Sequence, residues 1–211
     1  MPERVVLLHG LWMRGFAMGL LQHRLAEADF MVERFDYLSV GESGPKALIE
    51  RLRQRLMPSE EAEVVHIVGH SLGGLLALRA CENDAGLAPG RIVCMGSPLL
   101  GSAAARGFAQ LGGEALLGPY RGLLEQGFEA WAGPRELGVI AGRMRLGLGA
   151  VVGQLQGEHD GSVAIDETLL PGLTAHCVVE ASHTGLIMSA DAARQAGQFL
   201  RHGQLLGDEP G

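Results

Sequence analysis

The sequence predicts an α/β fold: a mostly parallel sheet of about six strands, covered by helices on both faces in a three-layer sandwich. Three observations point there. Short apolar runs alternate with stretches of helical periodicity along the chain, as in βαβ crossovers. One run, Val64-Val65-His66-Ile67-Val68, is almost wholly β-branched, which suits a central parallel strand buried on both faces. The chain has 211 residues, 47% hydrophobic and 19% charged, so it can hold a core of its own and is not a disordered chain.

The elements follow in order. Val5-Val6-Leu7-Leu8 is the first strand candidate. A helix is expected over 17–28, with Leu20, Leu21 and Leu25 on one face and Met18 in the core. Residues 30–37 read as a second strand. Pro45 fits a first helical turn; Leu48, Ile49, Leu52 and Leu56 continue at helical spacing, and Pro58 should end that helix. The β-branched run leads into a helix at 72–83. Further strands are expected at 92–95, 139–141 and 174–179. A closing helix spans 186–200, its buried stripe formed by Leu186, Ile187, Ala190, Ala193, Gly197 and Leu200.

The stretch 101–135 breaks this rhythm. It runs well past the dozen or so residues that a crossover needs. It is rich in Gly and Ala and carries Leu116, Leu117, Leu123, Leu124, Phe128 and Trp131. It reads either as a lid or cap insertion or as a crossover helix with extra turns. The expected organisation is a single domain over 1–206, with 207–211 a disordered tail.

Composition narrows the partners. The formal net charge is −7, against the basic footprint expected of a nucleic-acid binder. No apolar run reaches the roughly 18 residues of a membrane span, and no signal-peptide pattern is read at the start. The expectation is a cytoplasmic protein without stable membrane insertion. Oligomeric state is left open. Cys81, Cys94 and Cys177 are too widely spaced for a zinc pattern and read as buried thiols.

The chemistry sits after the central strand, in Gly69-His70-Ser71-Leu72-Gly73-Gly74. G-x-S-x-G between a buried strand and a helix places the serine on a sharp turn with its hydroxyl exposed. The glycines keep side-chain bulk off that turn. The helix behind it aims unpaired N–H groups and the positive end of its dipole at the serine. A phosphate loop is disfavoured, because no Lys-Ser/Thr follows the glycines.

Five segments resemble the α/β-hydrolase family, and within it the small bacterial lipases and esterases. VVLLHG at 5–10 resembles the first strand and its His-Gly oxyanion turn. GHSLGG at 69–74 resembles the nucleophile elbow. GSPLLGS at 96–102 resembles the segment after the next strand. HDGSV at 159–163 resembles the acid loop, and SHTGL at 182–186 the loop of the catalytic histidine. The resemblance implies a minimal α/β-hydrolase fold lacking the larger members' first two strands. The order Ser71, Asp160, His183 is the family's Ser, Asp/Glu, His. Asp160 and His183 each follow a predicted strand, at the edge where open α/β sheets bind ligands.

In this reading Ser71 is the nucleophile, His183 the base and Asp160 the group that orients the imidazole. The oxyanion hole would come from the backbone N–H groups of Leu72 and Leu11. His9, Trp12 and His70 are candidates for the substrate pocket. His9 also reads as a residue orienting the oxyanion turn, His70 either supports the elbow or lines the pocket, and Trp12 either walls the acyl pocket or packs beneath the loop. Asp166 is the rival acid, Asp36 precedes the serine and breaks the order, and His159 beside Asp160 reads as a solvated loop pair without a metal ligand set. No cofactor is implied, and nothing in the spacing demands a calcium. The expected substrate is a small-molecule ester with an apolar acyl chain. A thioesterase or acyltransferase would use the same triad. A binding module on the same fold is the remaining reading, which the presence of all three triad residues disfavours.

Overall fold

The structure is a computed structural model that describes residues 3–38, 44–59, 63–83, 85–146 and 155–207. Six strands form one parallel sheet: β1 Arg4–Leu8, β2 Met31–Phe35, β3 Val65–His70, β4 Ile92–Met95, β5 Leu137–Gly142 and β6 Ala175–Val179. Their order is β2-β1-β3-β4-β5-β6, so the β-branched strand lies inside the sheet. Every residue of β3 is buried. The register sets Leu8 beside both Phe35 and Gly69, and His70 beside Met95, which is level with Ile140. The carboxyl ends of four neighbouring strands therefore form one edge.

Among the described residues the α-helices are α1 Gly19–Glu27, α2 Pro45–Leu56, α3 Leu72–Cys81, α4 Ala103–Phe108, α5 Glu114–Leu117, α6 Arg121–Gln126 and α7 Ala190–His202. Strand side chains alternate between two cores, as the period of two demands. Val5, Leu7, Val68, Val93 and Ile140 pack with α1 and α7. Val6, Leu8, Ile67, Cys94 and Val139 pack with α2 and α3. Among the described residues, no helix is long and apolar enough to cross a membrane.

Local rules set the boundaries. α2 starts on Pro45 and stops at Leu56, because Met57 precedes Pro58 and is forced to extended backbone (ψ 141°). Leu20 is 42% exposed, so α1 buries Met18, Leu21 and Leu25 instead; their spacing of three and four holds one face. The predicted closing helix is two pieces. A tight turn covers Thr184–Met188, then the Ser189 hydroxyl accepts the Ala192 N–H at 3.2 Å and α7 begins. Leu186, Ile187, Ala193 and Leu200 are buried as expected, joined by Ala192, Ala196 and Phe199, while Ala190 faces solvent and Gly197 is half-buried. Cys81 and Cys94 are buried as expected, but Cys177 is only half-buried, on an edge strand. Of the expected tail, 208–211 lie outside the described residues.

The long stretch after β4 holds α4, α5 and α6. The Ser102 hydroxyl caps α4, accepting the Ala105 N–H at 3.0 Å. Leu117, Tyr120, Leu124, Phe128 and Trp131 enter the α3-side core, while Leu111 and Leu116 point outward.

Phe199 is fully buried, and Gly138 leaves room for it: a methyl there would lie 2.7 Å from the ring. Phe199→Ala should cost about 3–5 kcal/mol, read as a lower urea midpoint. A loss under about 0.5 kcal/mol, the range of surface substitutions, would contradict this packing.

Candidate active site

β3 runs into Ser71, whose backbone is left-handed (φ 54°, ψ −119°). Holding a non-glycine residue there costs about 1–3 kcal/mol. Its neighbours explain how the turn closes. A methyl at Gly69 would collide with the backbone of Gly73 and Gly74. A methyl at Gly73 would lie 2.5 Å from the Leu8 carbonyl oxygen, at the end of β1. One at Gly74 would strike Ser97 and come 2.9 Å from the Cys94 sulfur. The Ser71 N–H donates to Met95 O at 2.9 Å and the Gly74 N–H to Ser71 O at 3.1 Å.

Asp160 follows β5 and His183 follows β6. The Asp160 side chain is 1% exposed, and its Oδ2 accepts from His183 Nδ1 at 2.7 Å. Its Oδ1 accepts the Ser162 and Val163 N–H groups at 2.8 and 2.7 Å, which fixes the carboxylate's rotamer. The His183 N–H also donates to the Asp160 carbonyl at 2.8 Å. Gly96 makes room for the pair: a methyl there would lie 3.0 Å from Asp160 Oδ2 and 3.2 Å from His183 Nδ1. Asp166 and Asp36 are both exposed, Asp166 within the turn Ile165–Thr168.

Ser71 and His183 line one cleft of about 430 Å³. Other surface hollows reach about 880 Å³, but they are open and hold none of the candidate residues. Leu11 lines the same cleft. Gly10, just before it, presses on the elbow: a methyl there would lie 3.2 Å from Ser71 Cβ. Leu72 opens α3, so its N–H has no carbonyl of its own helix to reach. The remaining walls are mostly apolar, including Met13, Phe108, Leu117, Leu124 and Val163. Among the described residues, none lining the cleft is Asp, Glu, Lys or Arg.

Two of the three pocket candidates are in this wall. Trp12 lines it from a left-handed backbone (φ 58°), donates its indole N–H to Leu116 O at 2.9 Å and meets Phe108 edge-on at 5.7 Å. The turn after β1 is thus attached to the segment after β4. His70 also lines the cleft. Its Nε2 lies 2.9 Å from the His183 carbonyl, while Nδ1 is buried without a partner, an arrangement that costs about 1–3 kcal/mol. His9 is not in the pocket. It is fully buried, stacked on Tyr37 at 4.0 Å, with its ring nitrogens 2.9 Å from Gly10 O and 3.1 Å from Tyr37 O. Its place is under the turn after β1. His159 is also buried rather than solvated, with Nδ1 accepting the Gly161 N–H at 3.1 Å.

Glu167 carries no motif, yet it joins two parts of the site. Its carboxylate accepts the Ala103 N–H at the start of α4 (2.5 Å) and the Ala164 N–H beside the acid loop (3.0 Å). Among the described residues, no group of three or more His, Cys, Asp or Glu could hold a metal ion.

The family model described as Alpha/beta hydrolase family matches residues 5–201. Among curated proteins, no match to the chain was found. Solved structures share the fold at low identity. The mature lipase BlEst2 of Bacillus licheniformis is 17% identical, covering 95% of this chain and 91% of its own, with a TM-score of 0.66. An esterase of Pyrococcus furiosus is 18% identical, over 94% and 81%, at 0.65. The RedJ thioesterase of prodiginine biosynthesis in Streptomyces coelicolor is 16% identical, over 95% and 84%, at 0.57.

Burial sets the charge state of several histidines. Burial, and the His183 ring beside it, push His70 down to about 3. Burial also lowers His9, His66 and His176 below their usual 6.5. The unfolded chain takes up protons at these rings as pH falls through 6.5, and the folded chain does not, so folding stability must fall with pH. Glu167, raised by burial, works in the opposite sense nearer its own range. The urea midpoint should therefore drop between pH 7.5 and 5, by up to about 1.4 kcal/mol per pH unit for each such ring. A flat or rising profile would contradict neutral buried imidazoles.

Proposed function

The chain belongs to the alpha/beta hydrolase family, and we propose that within it the protein is a serine hydrolase cleaving carboxylic esters through an acyl-enzyme on Ser71. One observation carries this reading. A strained serine at a strand-to-helix turn shares a cleft with a histidine whose Nδ1 lies 2.7 Å from a buried carboxylate.

The chemistry follows from those groups. Ser71 Oγ attacks the ester carbonyl while His183 Nε2 takes its proton. Asp160 holds the imidazole tautomer and stabilises the imidazolium. The oxyanion is met by the Leu72 and Leu11 N–H groups; losing one such donor costs on the order of 10²–10³ in turnover. His183 returns the proton to the leaving alcohol, and the acyl group stays on Ser71. Water then attacks with the same base, and the carboxylic acid departs. No cofactor enters these steps. The apolar wall, without ionisable acids or strong bases, suits an apolar acyl chain. The segment 101–135 acts as the cap on that chain's side.

Hydrolysis of p-nitrophenyl esters from acetate to palmitate tests this. Ser71→Ala should lower kcat by about 10⁴-fold or more, as removal of a nucleophile does elsewhere. Asp160→Asn should lower it by about 10⁴-fold through the wrong tautomer. A fluorophosphonate should label the parent and not Ser71→Ala. Ester hydrolysis unchanged in Ser71→Ala would end the reading, and a thioester cleaved in preference to its matching ester would move it to a thioesterase.

A further inference from the structure

We propose that His70 is a positioning residue: its Nε2–H holds the backbone carbonyl of His183 and so fixes the base loop against the nucleophile's own turn. This rests on the roles given above to Ser71 and His183.

His70 precedes Ser71, so any force on its ring acts on the elbow itself. The ring is 1% exposed, its Nε2 lies 2.9 Å from His183 O, and its centroid is 4.7 Å from that of the His183 ring. The two residues are 113 apart in the chain, and the bond joins two loops that Asp160 alone would not tie together. Asp160 holds His183 at Nδ1 and at its N–H. Both bonds run to one residue, and the Met144 N–H to Ala181 O bond ties the start of the loop to the end of β5. The bond at the His183 carbonyl is the one that ties this loop to the residue before Ser71.

The tautomer follows. A carbonyl oxygen accepts only, so the proton of a neutral His70 must sit on Nε2. Burial keeps the ring neutral. That matters in turnover, because His183 becomes an imidazolium when it takes the serine proton. A second charged imidazole at this distance would oppose that step; a neutral one permits it. The geometry leaves Nδ1 as an acceptor with no donor, facing Gly10, where a methyl would lie 3.1 Å away. An apolar side chain would fill the space without a stranded polar atom, so packing alone does not account for a histidine.

The test uses three variants of the full chain. His70→Gln keeps an amide N–H near the position of Nε2. His70→Asn places its amide nearer Nδ1, and His70→Leu has no donor. Turnover of p-nitrophenyl butyrate should fall about 10–100-fold in Leu and Asn, the scale of a 1 Å misplacement, with KM changed less than about threefold. Gln should recover most of the loss. The downfield NMR resonance of the proton between His183 Nδ1 and Asp160 should shift or broaden in Leu and Asn and return in Gln. If His70→Leu fails to fold, the Gln and Asn pair decides. Turnover within twofold of the parent in Asn, or Gln as damaged as Asn with the resonance unmoved in both, would overturn the proposal. If the parent neither hydrolyses esters nor labels with fluorophosphonate, the functional reading fails, and the resonance series still decides whether His70 holds His183.

Discussion

The close approach of β1, β3 and α3 at one turn is the constraint on which the rest depends. Ser71 sits in a backbone region that side chains avoid. Only a stiff frame holds it there, since strain persists where the surroundings over-determine it. The frame is the fully buried β3, paired on both sides, and the start of α3, buried at every position but one. Gly69 and Gly73 let these backbones touch, and Gly74 leaves room for Ser97 and Cys94. The hydrophobic interior thus holds the serine in place.

From that turn the site is assembled along one sheet edge. Parallel strands in level register deliver Gly10, Ser71, Gly96, Asp160 and His183 to neighbouring loops. Glycine recurs at the contacts: Gly10 against the elbow, Gly96 against the Asp160–His183 pair. Any side chain at these places would wedge the loops apart. The groups that remain are short, buried and mostly neutral. That composition keeps a low dielectric around the Asp160–His183 pair, where electrostatic interactions are strongest.

The strands and the elbow were legible in sequence because each rests on a local rule. A β-branched run marks a buried strand, and glycines flank the serine because the turn admits nothing larger. Asp160 and His183 were legible by order and by position after a strand. What sequence hid was set by tertiary contact. His9 read both as a pocket candidate and as a support of the turn after β1, and the contact that decides for the support, its stacking on Tyr37, depends on β2 lying beside β1. Phe199 gives no signal apart from the glycine opposite it on β5. The last helix kept most of its expected stripe, but the Ser189 cap that splits the run in two and leaves Ala190 in solvent was not marked by periodicity. Glu167 and His70 bond backbone groups far along the chain, which no spacing rule reports.

The segment after β4 belongs to the site as much as to the core. Its inner side chains, Leu117 and Leu124, line the cleft and also join the α3-side cluster. Its outer contacts run to loops of the candidate site: the Leu116 carbonyl accepts the Trp12 indole proton next to Leu11, and the first N–H of α4 donates to Glu167, close to the loop of Asp160. Trp12 itself has a left-handed backbone that a large side chain avoids unless something holds it. The bond to Leu116 and the edge-on contact with Phe108 supply that hold. Moving this segment would therefore disturb the apolar wall of the cleft and the turn after β1 together. The two are mechanically one unit, joined through Trp12.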